Sequence, residues 1–301
     1  MRTLLATGLL ALFIITSPAG PTLKIAVNMT TIESFPIIAA IEKTNGVELV
    51  PATNGRNAMV QLVSGAADAA TGSETQALLN SVNDPRIRIV LTLSECRYRI
   101  VARRSAGIQK LSDLRGKKVA ATMNTSSHYY ISRMLANAHI AEGDIQLVGL
   151  EGQDMPAALE KHTVDAVSIW EPHAQNSLTV LGKDAVVFED GSAYTERFNL
   201  NTRTDVLNDP AKRAAFVALI REIERSSNQI RTQPKQMIPA LAPKIGYKES
   251  LVTAVWRQFT FPASINDKLR PALNDVESWV AANQKRQARS GKDLDILINP
   301  L

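Results

Sequence analysis

Four small polar residues, Asn124, Thr125, Ser126 and Ser127, stand in a row where an apolar run ends and an amphipathic stretch begins. The first amides of a helix lack internal partners, and the helix dipole places partial positive charge there. Hydroxyl and amide donors at that position can converge on an anion without any net charge. The cluster therefore predicts an anion-binding helix start. The alternative is an ordinary helix cap, which needs only one such residue.

A second polar loop, "NMTTIESF", follows the first apolar run of the mature chain. Its Asn28, Thr30 and Thr31 carry the same kinds of donor. We expect these three side chains to contact the ligand from the side opposite the first cluster. The alternative is a simple loop with a cap.

Two glutamates follow short apolar runs at matching places, in "GSETQ" and "WEPHA". Glu74 and Glu171 are predicted to bind an ammonium or amide group of the ligand, or to tie two halves of the molecule together. Ser73 can donate to the ligand beside Glu74. Trp170 would form an apolar wall of the site, or part of a core.

The residue types that catalysis or metal binding needs do not cluster. Ser126, Ser127 and His128 lack a G-x-S-x-G elbow, and adjacent helix positions point away from each other. Neither a glycine-rich dinucleotide loop nor a Walker lysine loop occurs, and the four histidines lack metal-ligand spacing. Cys96 is the one cysteine, so an internal disulfide is excluded, and we expect it to be a small buried residue. The sequence predicts no catalytic residue, no metal and no cofactor.

Short apolar runs alternate with amphipathic stretches, which is typical of α/β architecture. "QLVSGAADAATGSETQA" (61–77) aligns with "ALEKHTVDAVSIWEPHA" (158–174) at a constant offset, and "LKIAVNMTT" is echoed by "KKVAATMNTS". The two echoes predict two similar lobes, each with a mostly parallel sheet. Ligands bind outside the carboxyl ends of the strands in such sheets. We therefore expect a cleft between the lobes.

The chain lacks a clean linker, which favours two crossings between the lobes. We expect lobe I to comprise residues 22–100 and 196–301, and lobe II residues 101–195. The polar interruption "RFNLNTR" marks the return to lobe I. Phe198 and Asn199 are predicted to reach the cleft there.

The first 19 residues have the pattern of a cleavable signal peptide, with a basic start, an apolar run and small residues before the cut. An uncleaved anchor is the alternative, but the apolar run is shorter than a membrane span. The 301 residues carry a net charge of +5, without a basic stripe. This distribution disfavours nucleic-acid binding. We expect an exported, soluble protein of about two domains.

These motifs together resemble a periplasmic substrate-binding protein of an ABC importer. The resemblance is to the sulfonate/nitrate/taurine type, which is related to thiamine-pyrimidine-precursor binders. It covers residues 22–290 and rests on "QLVSGAADAATG", on "IQKLSDLRGKKVAA" with the hydroxyl cluster, and on "ALEKHTVDAVSIWEPHA". Two departures are the abbreviated "IEKTNGVELV" and His162, which stands where a glycine is common. The resemblance implies a type II fold with two hinge crossovers and a periplasmic monomer. Its partners would be a small-molecule ligand and the transmembrane subunits of a permease.

The resemblance also implies that an anionic head group, such as a sulfonate, sits at Ser126 and Ser127. Glu74 and Glu171 would suit a zwitterion such as taurine, or a pyrimidine with an amino group. Nitrate and bicarbonate stay open as ligands. The alternatives in function are a pyrimidine-binding protein and a pyrimidine-synthesising enzyme on the same fold. A regulator's ligand-sensing domain is disfavoured because the sequence lacks an N-terminal helix-turn-helix.

Overall fold

The computed structural model describes residues 23–299. The predicted signal peptide and its cleavage after Ala19 lie outside the described residues. Within 23–299, no helix has both the length and the apolar character that crossing a bilayer requires.

Strands and helices alternate through the first two thirds of the chain, and helices dominate the rest. The strands are β1 Leu23–Asn28, β2 Val47–Ala52, β3 Ala69–Ser73, β4 Ile87–Arg97, β5 Arg99–Arg103, β6 Lys118–Ala121, β7 Gln146–Gly149, β8 Ala166–Ile169, β9 Ala185–Phe188, β10 Thr195–Arg203 and β11 Phe259–Thr260. The helices are α1 Phe35–Ile41, α2 Gly55–Val63, α3 Glu74–Ser81, α4 Ser126–Asn137, α5 Met155–Glu160, α6 His173–Leu181, α7 Thr204–Asn208, α8 Pro210–Thr232, α9 Pro234–Leu241, α10 Glu249–Val255, α11 Leu269–Asn283 and α12 Gly291–Leu297.

The strands form two separate sheets. The first has six strands in the order β11-β4-β10-β3-β1-β2, and the second has five in the order β7-β6-β8-β5-β9. The predicted two-lobed α/β fold is confirmed. Both sheets are mixed, since β10, β4 and β11 in the first sheet, and β5 and β9 in the second, pair antiparallel to their neighbours. Only β10, β11 and β5 run against the other strands, so most strands of each sheet share one direction as expected. Each lobe thus has three parallel strands extended by antiparallel ones.

The described chain passes between the sheets twice. It leaves the first sheet at the end of β4 and, after the single intervening residue Tyr98, enters the second sheet at β5, which begins at Arg99. It returns between β9 and β10, so that β10 lies in the first sheet beside β3 and β4. We propose that the lobes divide at these two crossings, close to the boundaries expected from the sequence.

The internal sequence repeat corresponds to a hydrogen bond that occurs in both lobes. Asp68 precedes β3 and its Oδ2 accepts the backbone N–H of Lys24 at 2.9 Å. Asp165 precedes β8 and its Oδ2 accepts the N–H of Lys118 at 2.9 Å. In both lobes, the aspartate that precedes one parallel strand therefore accepts a hydrogen bond from the first or second residue of the neighbouring parallel strand.

A tight turn precedes each of these aspartates, and in lobe II this turn contains His162, one of the two departures from the family pattern. Gly65 ends the turn after α2 with φ of 80°, and His162 occupies the matching place after α5 with φ of 58°. Left-handed backbone costs little for glycine and more for a residue with a Cβ. His162 therefore adopts the conformation for which glycine is the common choice.

Each sheet is covered by apolar side chains. In lobe I, Ile25, Phe35 and Phe216 are fully buried between the first sheet and the helices α1 and α8. Cys96 at the end of β4 is fully buried as predicted, and burial raises the pKa of its thiol well above the usual value. This thiol is therefore a packing group.

Candidate functional site

A small cavity lies where strand-end loops of both sheets meet. Its volume is about 30 Å³, which is room for little more than water. The residues that line it are Asn28, Glu33, Asn54, Gly55, Arg56, Ser73, Gln76, Tyr98, Thr125, Ser126, Trp170, Glu196 and Phe198. They come from both lobes and from both crossings, as the position of a ligand site in an open α/β sheet predicts.

The start of α4 faces a carboxyl group of the protein itself. Thr125 caps the helix in the ordinary way, with its side chain accepting the N–H of Ser127. Ser126 Oγ donates to Glu196 Oε1 at 2.8 Å, and the Tyr98 hydroxyl donates to Glu196 Oε2 at 2.7 Å. Hydroxyl donors at a helix start thus stabilise negative charge as the sequence suggests. In the structure, the charged group at that place is Glu196.

A second carboxyl group enters the same cavity from lobe I. Glu33 lies in a short 3-10 turn after β1 and is 2% exposed. Its Oε2 accepts a hydrogen bond from Thr31 Oγ1 at 2.9 Å, whereas its Oε1 is buried without a hydrogen-bond partner. Burial and the nearby charge of Glu196 raise the pKa of Glu33 well above its ordinary value. Burial also raises the pKa of Glu196, against the opposing hydrogen bonds from Tyr98 and Ser126.

Other residues of the cavity lining carry donors. Arg56 lies in the first turn of α2, and Arg56 Nε is buried without a partner. Asn54 caps α2 through a 2.8 Å bond from the N–H of Asn57, and the other early amides of the helix have no helical partners. Trp170 is 8% exposed, and its Nε1 also lacks a partner. Unpartnered buried donors and a helix start make these parts of the lining suited to an anion.

The two lobes touch directly around the cavity. Arg56 and Asn54 of lobe I both donate to the carboxylate of Glu151 in lobe II, at 3.2 and 3.3 Å. Gln76 Nε2 donates to the backbone carbonyl of Asn124 at 2.8 Å. A ligand larger than water can enter this cavity only when the lobes separate.

A larger groove, of about 420 Å³, lies between the segment 191–195 and α11. Arg197, Asp267, Lys268 and Asp275 contribute its charges. The strand-end loops that the fold uses for ligands do not form its lining. We therefore place the candidate site in the smaller cavity.

The middle of the chain matches a family model described as NMT1/THI5 like, over residues 43–237. This match covers more than half of the 301 residues. The chain belongs to the NMT1/THI5-like family.

Relatives of this family member include sulfonate-binding proteins. A protein of Escherichia coli (strain K12) described as aliphatic sulfonates-binding is 29% identical over 193 residues, which is 63% of this chain and 56% of that protein. The chain thus matches little more than half the length of that relative. The predicted resemblance to the sulfonate type of binding protein is confirmed by this match and by the family model.

Solved structures share the fold over nearly the whole chain. The periplasmic aliphatic sulphonate binding protein SsuA from Escherichia coli superposes with a TM-score of 0.76 at 19% identity, covering 92% of both chains. The alkanesulfonate-binding protein SsuA from Xanthomonas axonopodis pv. citri, bound to MOPS, gives 0.76 at 16% identity and covers 94% of this chain and 99% of that one. At these identities the likeness shows the two-lobed fold alone.

Six of the side chains predicted from the sequence line the cavity of this NMT1/THI5-like protein. They are Asn28, Ser73, Thr125, Ser126, Trp170 and Phe198. Asn28 is held in place by the Thr30 N–H and hydroxyl, both of which donate to Asn28 Oδ1 at 3.0 Å. Ligand contact by these six stays a prediction.

The other predicted residues lie outside the lining, and several have clear structural partners. Ser127 Oγ donates to the Ser168 carbonyl at 2.5 Å and accepts the Thr122 N–H at 3.0 Å. Thr30 and Thr31 serve the turn after β1, the Asn124 carbonyl accepts from Gln76, and the Asn199 side chain bonds within the first sheet to Thr92.

The two predicted glutamates are also engaged elsewhere. Glu171 is ion-paired with Arg99 and accepts the Gln175 N–H at 3.1 Å, all within lobe II, so it does not tie the lobes together. Glu74 Oε2 accepts the N–H of Arg197 at 3.0 Å near the second crossing. Neither carboxylate lines the cavity: Glu74 directly follows β3, Glu171 is the second residue after β8, and both are fully buried.

Sequence reasoning missed both carboxyl groups that do line the cavity. Glu33 stands two residues after the predicted Thr31, and Glu196 two residues before the predicted Phe198. Arg56 and Tyr98 were missed as well. In the sequence, a charged residue stands beside each of these polar loops at a strand end, and it can face a ligand site as readily as a hydroxyl can.

Proposed function

We propose that this protein is the extracytoplasmic solute-binding component of an ABC importer, and that it captures a small organic anion of the organosulfonate class. The ligand would sit in the interlobe cavity and be delivered to the permease transmembrane subunits. The observation that carries the proposal is the cavity between two lobes with unpartnered buried polar atoms in its lining: Arg56 Nε, Trp170 Nε1 and Glu33 Oε1.

The anionic end of the ligand would lie against α2. Arg56 is the one cation among the described residues that line the cavity. It can offer a charge-assisted hydrogen bond, while Trp170 Nε1 and the first amides of α2 supply neutral donors. Closure of the lobes desolvates these groups and creates the surface that a permease can recognise. A periplasmic location, export by a signal peptide and a monomeric state belong to the same proposal.

The protein is proposed to bind its ligand without transforming it. The named sulfonate relatives are binding proteins. The cavity contains no cysteine, lysine or histidine among its described lining residues. The two serine hydroxyls of the lining, Ser73 and Ser126, therefore have no histidine or lysine base beside them among those residues.

Calorimetric titration with ethanesulfonate, taurine and nitrate tests the proposal. We expect at least one sulfonate to bind, and Arg56→Ala to weaken it by about ten-fold or more, because a desolvated charge-assisted bond is lost. Arg115→Ala is the matched control, since Arg115 is similarly exposed and also pairs with an acid, Asp144.

Two results would contradict the proposal. The first is the failure of every sulfonate to bind, and the second is undiminished sulfonate affinity in Arg56→Ala. Proton NMR of the ligand after prolonged incubation checks the absence of turnover. A changed ligand spectrum would instead favour an enzyme on this fold.

A further inference from the structure

Two buried carboxyl groups share the cavity without a cationic partner in the protein. Neither Glu33 nor Glu196 forms an ion pair with any lysine, arginine or histidine of residues 23–299. The cavity's arginine, Arg56, is paired with Glu151 across the cleft. Buried carboxylates of like charge are costly, so such a pair is stable only with a proton or a cation between them.

The hydrogen bonds around the pair leave one position open to a donor. Both oxygens of Glu196 already accept hydrogen bonds, from Ser126 and Tyr98. Glu33 Oε2 accepts from Thr31, which leaves Glu33 Oε1 buried and unpartnered in the cavity wall. A buried acceptor without a donor is unfavourable by about 1–3 kcal/mol. Without a ligand, a proton shared between Glu33 and Glu196 satisfies this oxygen, and an ammonium group of the ligand can replace that proton as the donor.

We propose that Glu33 and Glu196 form a subsite for a primary ammonium group, so that the ligand is a short aminoalkanesulfonate. This inference rests on the proposed function, because Arg56 and the start of α2 would hold the sulfonate end in the same small cavity. The ammonium would donate to Glu33 Oε1 and to a carboxylate oxygen of Glu196.

Binding of the ammonium displaces a proton from the pair. Without ligand the two carboxyl groups hold one proton between them. The arriving ammonium keeps its own proton and replaces the shared one, which passes to solvent. The affinity for an aminosulfonate therefore rises with pH until both carboxyl groups of the ligand-free protein are ionised. The affinity for a sulfonate without an amino group does not rise in this way.

The groups that face the pair come from five neighbouring segments. They are Thr31 before the 3-10 turn, Ser73 and Glu74 at the end of β3 and the start of α3, Tyr98 between β4 and β5, Ser126 at the start of α4, and Arg56 at the start of α2. Glu74 is a third buried carboxyl group near Glu33, and its proximity adds to the rise in the pKa of Glu33. Arg197 faces Glu74 and does not pair with Glu33 or Glu196.

Three probes with the same sulfonate and carbon chain test the subsite: ethanesulfonate, isethionate and taurine, which end in hydrogen, hydroxyl and ammonium. Calorimetric titrations in phosphate and in Tris, whose ionisation enthalpies differ, give the number of protons released. We expect taurine to bind at least about ten-fold tighter than ethanesulfonate, and to release up to one proton. In Glu33→Gln and Glu196→Gln, that preference should fall by about ten-fold, and proton release should disappear.

Glu95→Gln is the matched control. Glu95 is a largely buried carboxylate of β4 that lies outside the cavity lining. Its replacement should leave both the taurine preference and the proton release unchanged. Thermal unfolding of each variant without ligand identifies a protein that has simply failed to fold, and Glu33→Asp then replaces Glu33→Gln.

Equal affinity for the three probes, or a taurine preference that survives in both glutamine variants, would overturn the ammonium subsite and leave the sulfonate proposal standing. If no sulfonate binds but ethylammonium raises the melting temperature in a Glu33-dependent manner, the subsite stands and the sulfonate proposal falls. Binding of an aminopyrimidine but not of taurine or ethylammonium would overturn both.

Discussion

At the residue scale, neighbouring hydroxyls of the polar cluster at the start of α4 have different hydrogen-bond partners. Ser126 and Ser127 are adjacent in sequence, but successive helix positions point about 100° apart. Ser126 faces the cavity and bonds to Glu196, whereas Ser127 joins the backbone of β8 to the segment after β6. Because successive helix positions face different directions, one hydroxyl of this cluster faces the ligand cavity and the next one stabilises the fold.

Single substitutions should separate these duties. Ser127→Ala leaves the Thr122 N–H and the Ser168 carbonyl without their hydroxyl partner, so we expect the free energy of unfolding to fall by about 1–3 kcal/mol. Its ligand affinity should change by less than about two-fold. Ser126→Ala should instead weaken ligand binding several-fold, because Glu196 loses a donor that fixes its charge and orientation. Urea unfolding and calorimetric titration measure both; identical effects of the two substitutions would contradict the assignment.

A buried glutamate near the second crossing makes stability depend on pH. Burial raises the pKa of Glu74 from 4.5 to about 8, with Glu196 adding to the rise. The folded state therefore holds a proton that the unfolded state has lost between pH 4.5 and about 8. Stability is greatest below pH 4.5 on this account, and falls by up to a few kcal/mol as pH rises to about 8.

Glu74→Gln should flatten that fall without abolishing it, because Glu33 and Glu196 act in the same direction. Glutamine keeps an oxygen that can accept the Arg197 N–H. Urea unfolding at pH 5, 6.5 and 8 measures the effect, with exposed Glu160→Gln as the control. An unchanged slope in Glu74→Gln would show that this carboxyl does not titrate in the folded protein.

At the element scale, helix α11 is joined to α3 by a buried charge cluster. Glu277 is 1% exposed and accepts from Arg286 and Arg289. Arg289 also donates to Ser81 Oγ at 2.9 Å and to the Leu78 carbonyl at 3.0 Å, both in α3. The cluster fixes the chain after α11 against lobe I.

Removal of the charge at Glu277 should be strongly destabilising. Glu277→Gln leaves two arginines partly buried without a counter-charge, and we expect a loss of about 3 kcal/mol at pH 7. The arginines lower the pKa of Glu277 from 4.5 to about 2. The stabilisation is therefore present above pH 4.5 and lost as pH falls through about 2. Thermal unfolding checks this; a melting temperature equal to wild type at pH 7 would contradict it.

The elements that were predictable from sequence are those with a clear apolar period. The apolar runs in "LKIAVN" and "KKVAA" indicate strands, and the amphipathic spacing in α8 and α11 indicates helices. β10 was harder to recognise: Asn199, Asn201 and Thr202 are polar yet fully buried, since their side chains bond within the first sheet and to backbone around β3.

Only part of the site could be predicted from the sequence, for a related physical reason. The polar loops at strand ends followed from the fold, but which of their side chains faces the cavity depends on the rotation of each turn. Glu33 and Thr31 differ by two residues in one such turn, and only Glu33 lines the cavity. The packing that brings Glu33 close to Glu196 within lobe I, and Ser126 of lobe II to Glu196, is a tertiary property that local sequence does not encode.

At the scale of the whole molecule, one group of contacts between the two lobes is polar, lies beside the cavity and is partly exposed. The Glu151 carboxylate of lobe II accepts from Asn54 and Arg56 of lobe I, and Gln76 reaches the Asn124 carbonyl. Arg56 and Glu151 are each 40% exposed, so their ion pair is worth at most about 1 kcal/mol. Such contacts favour closure without preventing the opening that ligand entry requires.

Glu151→Ala should therefore shift the ligand-free protein toward the open form. We expect a larger radius of gyration by small-angle X-ray scattering, and an apparent ligand affinity weaker by up to about five-fold, because the closed form that encloses the ligand is less populated. The difference from wild type should shrink in 1 M salt, which screens a half-exposed pair. Glu160→Ala, an exposed position of the same lobe without a side-chain bond among the described residues, is the control. An unchanged radius of gyration in Glu151→Ala would show that closure depends on the ligand cavity itself, where Glu196, Tyr98 and Ser126 meet.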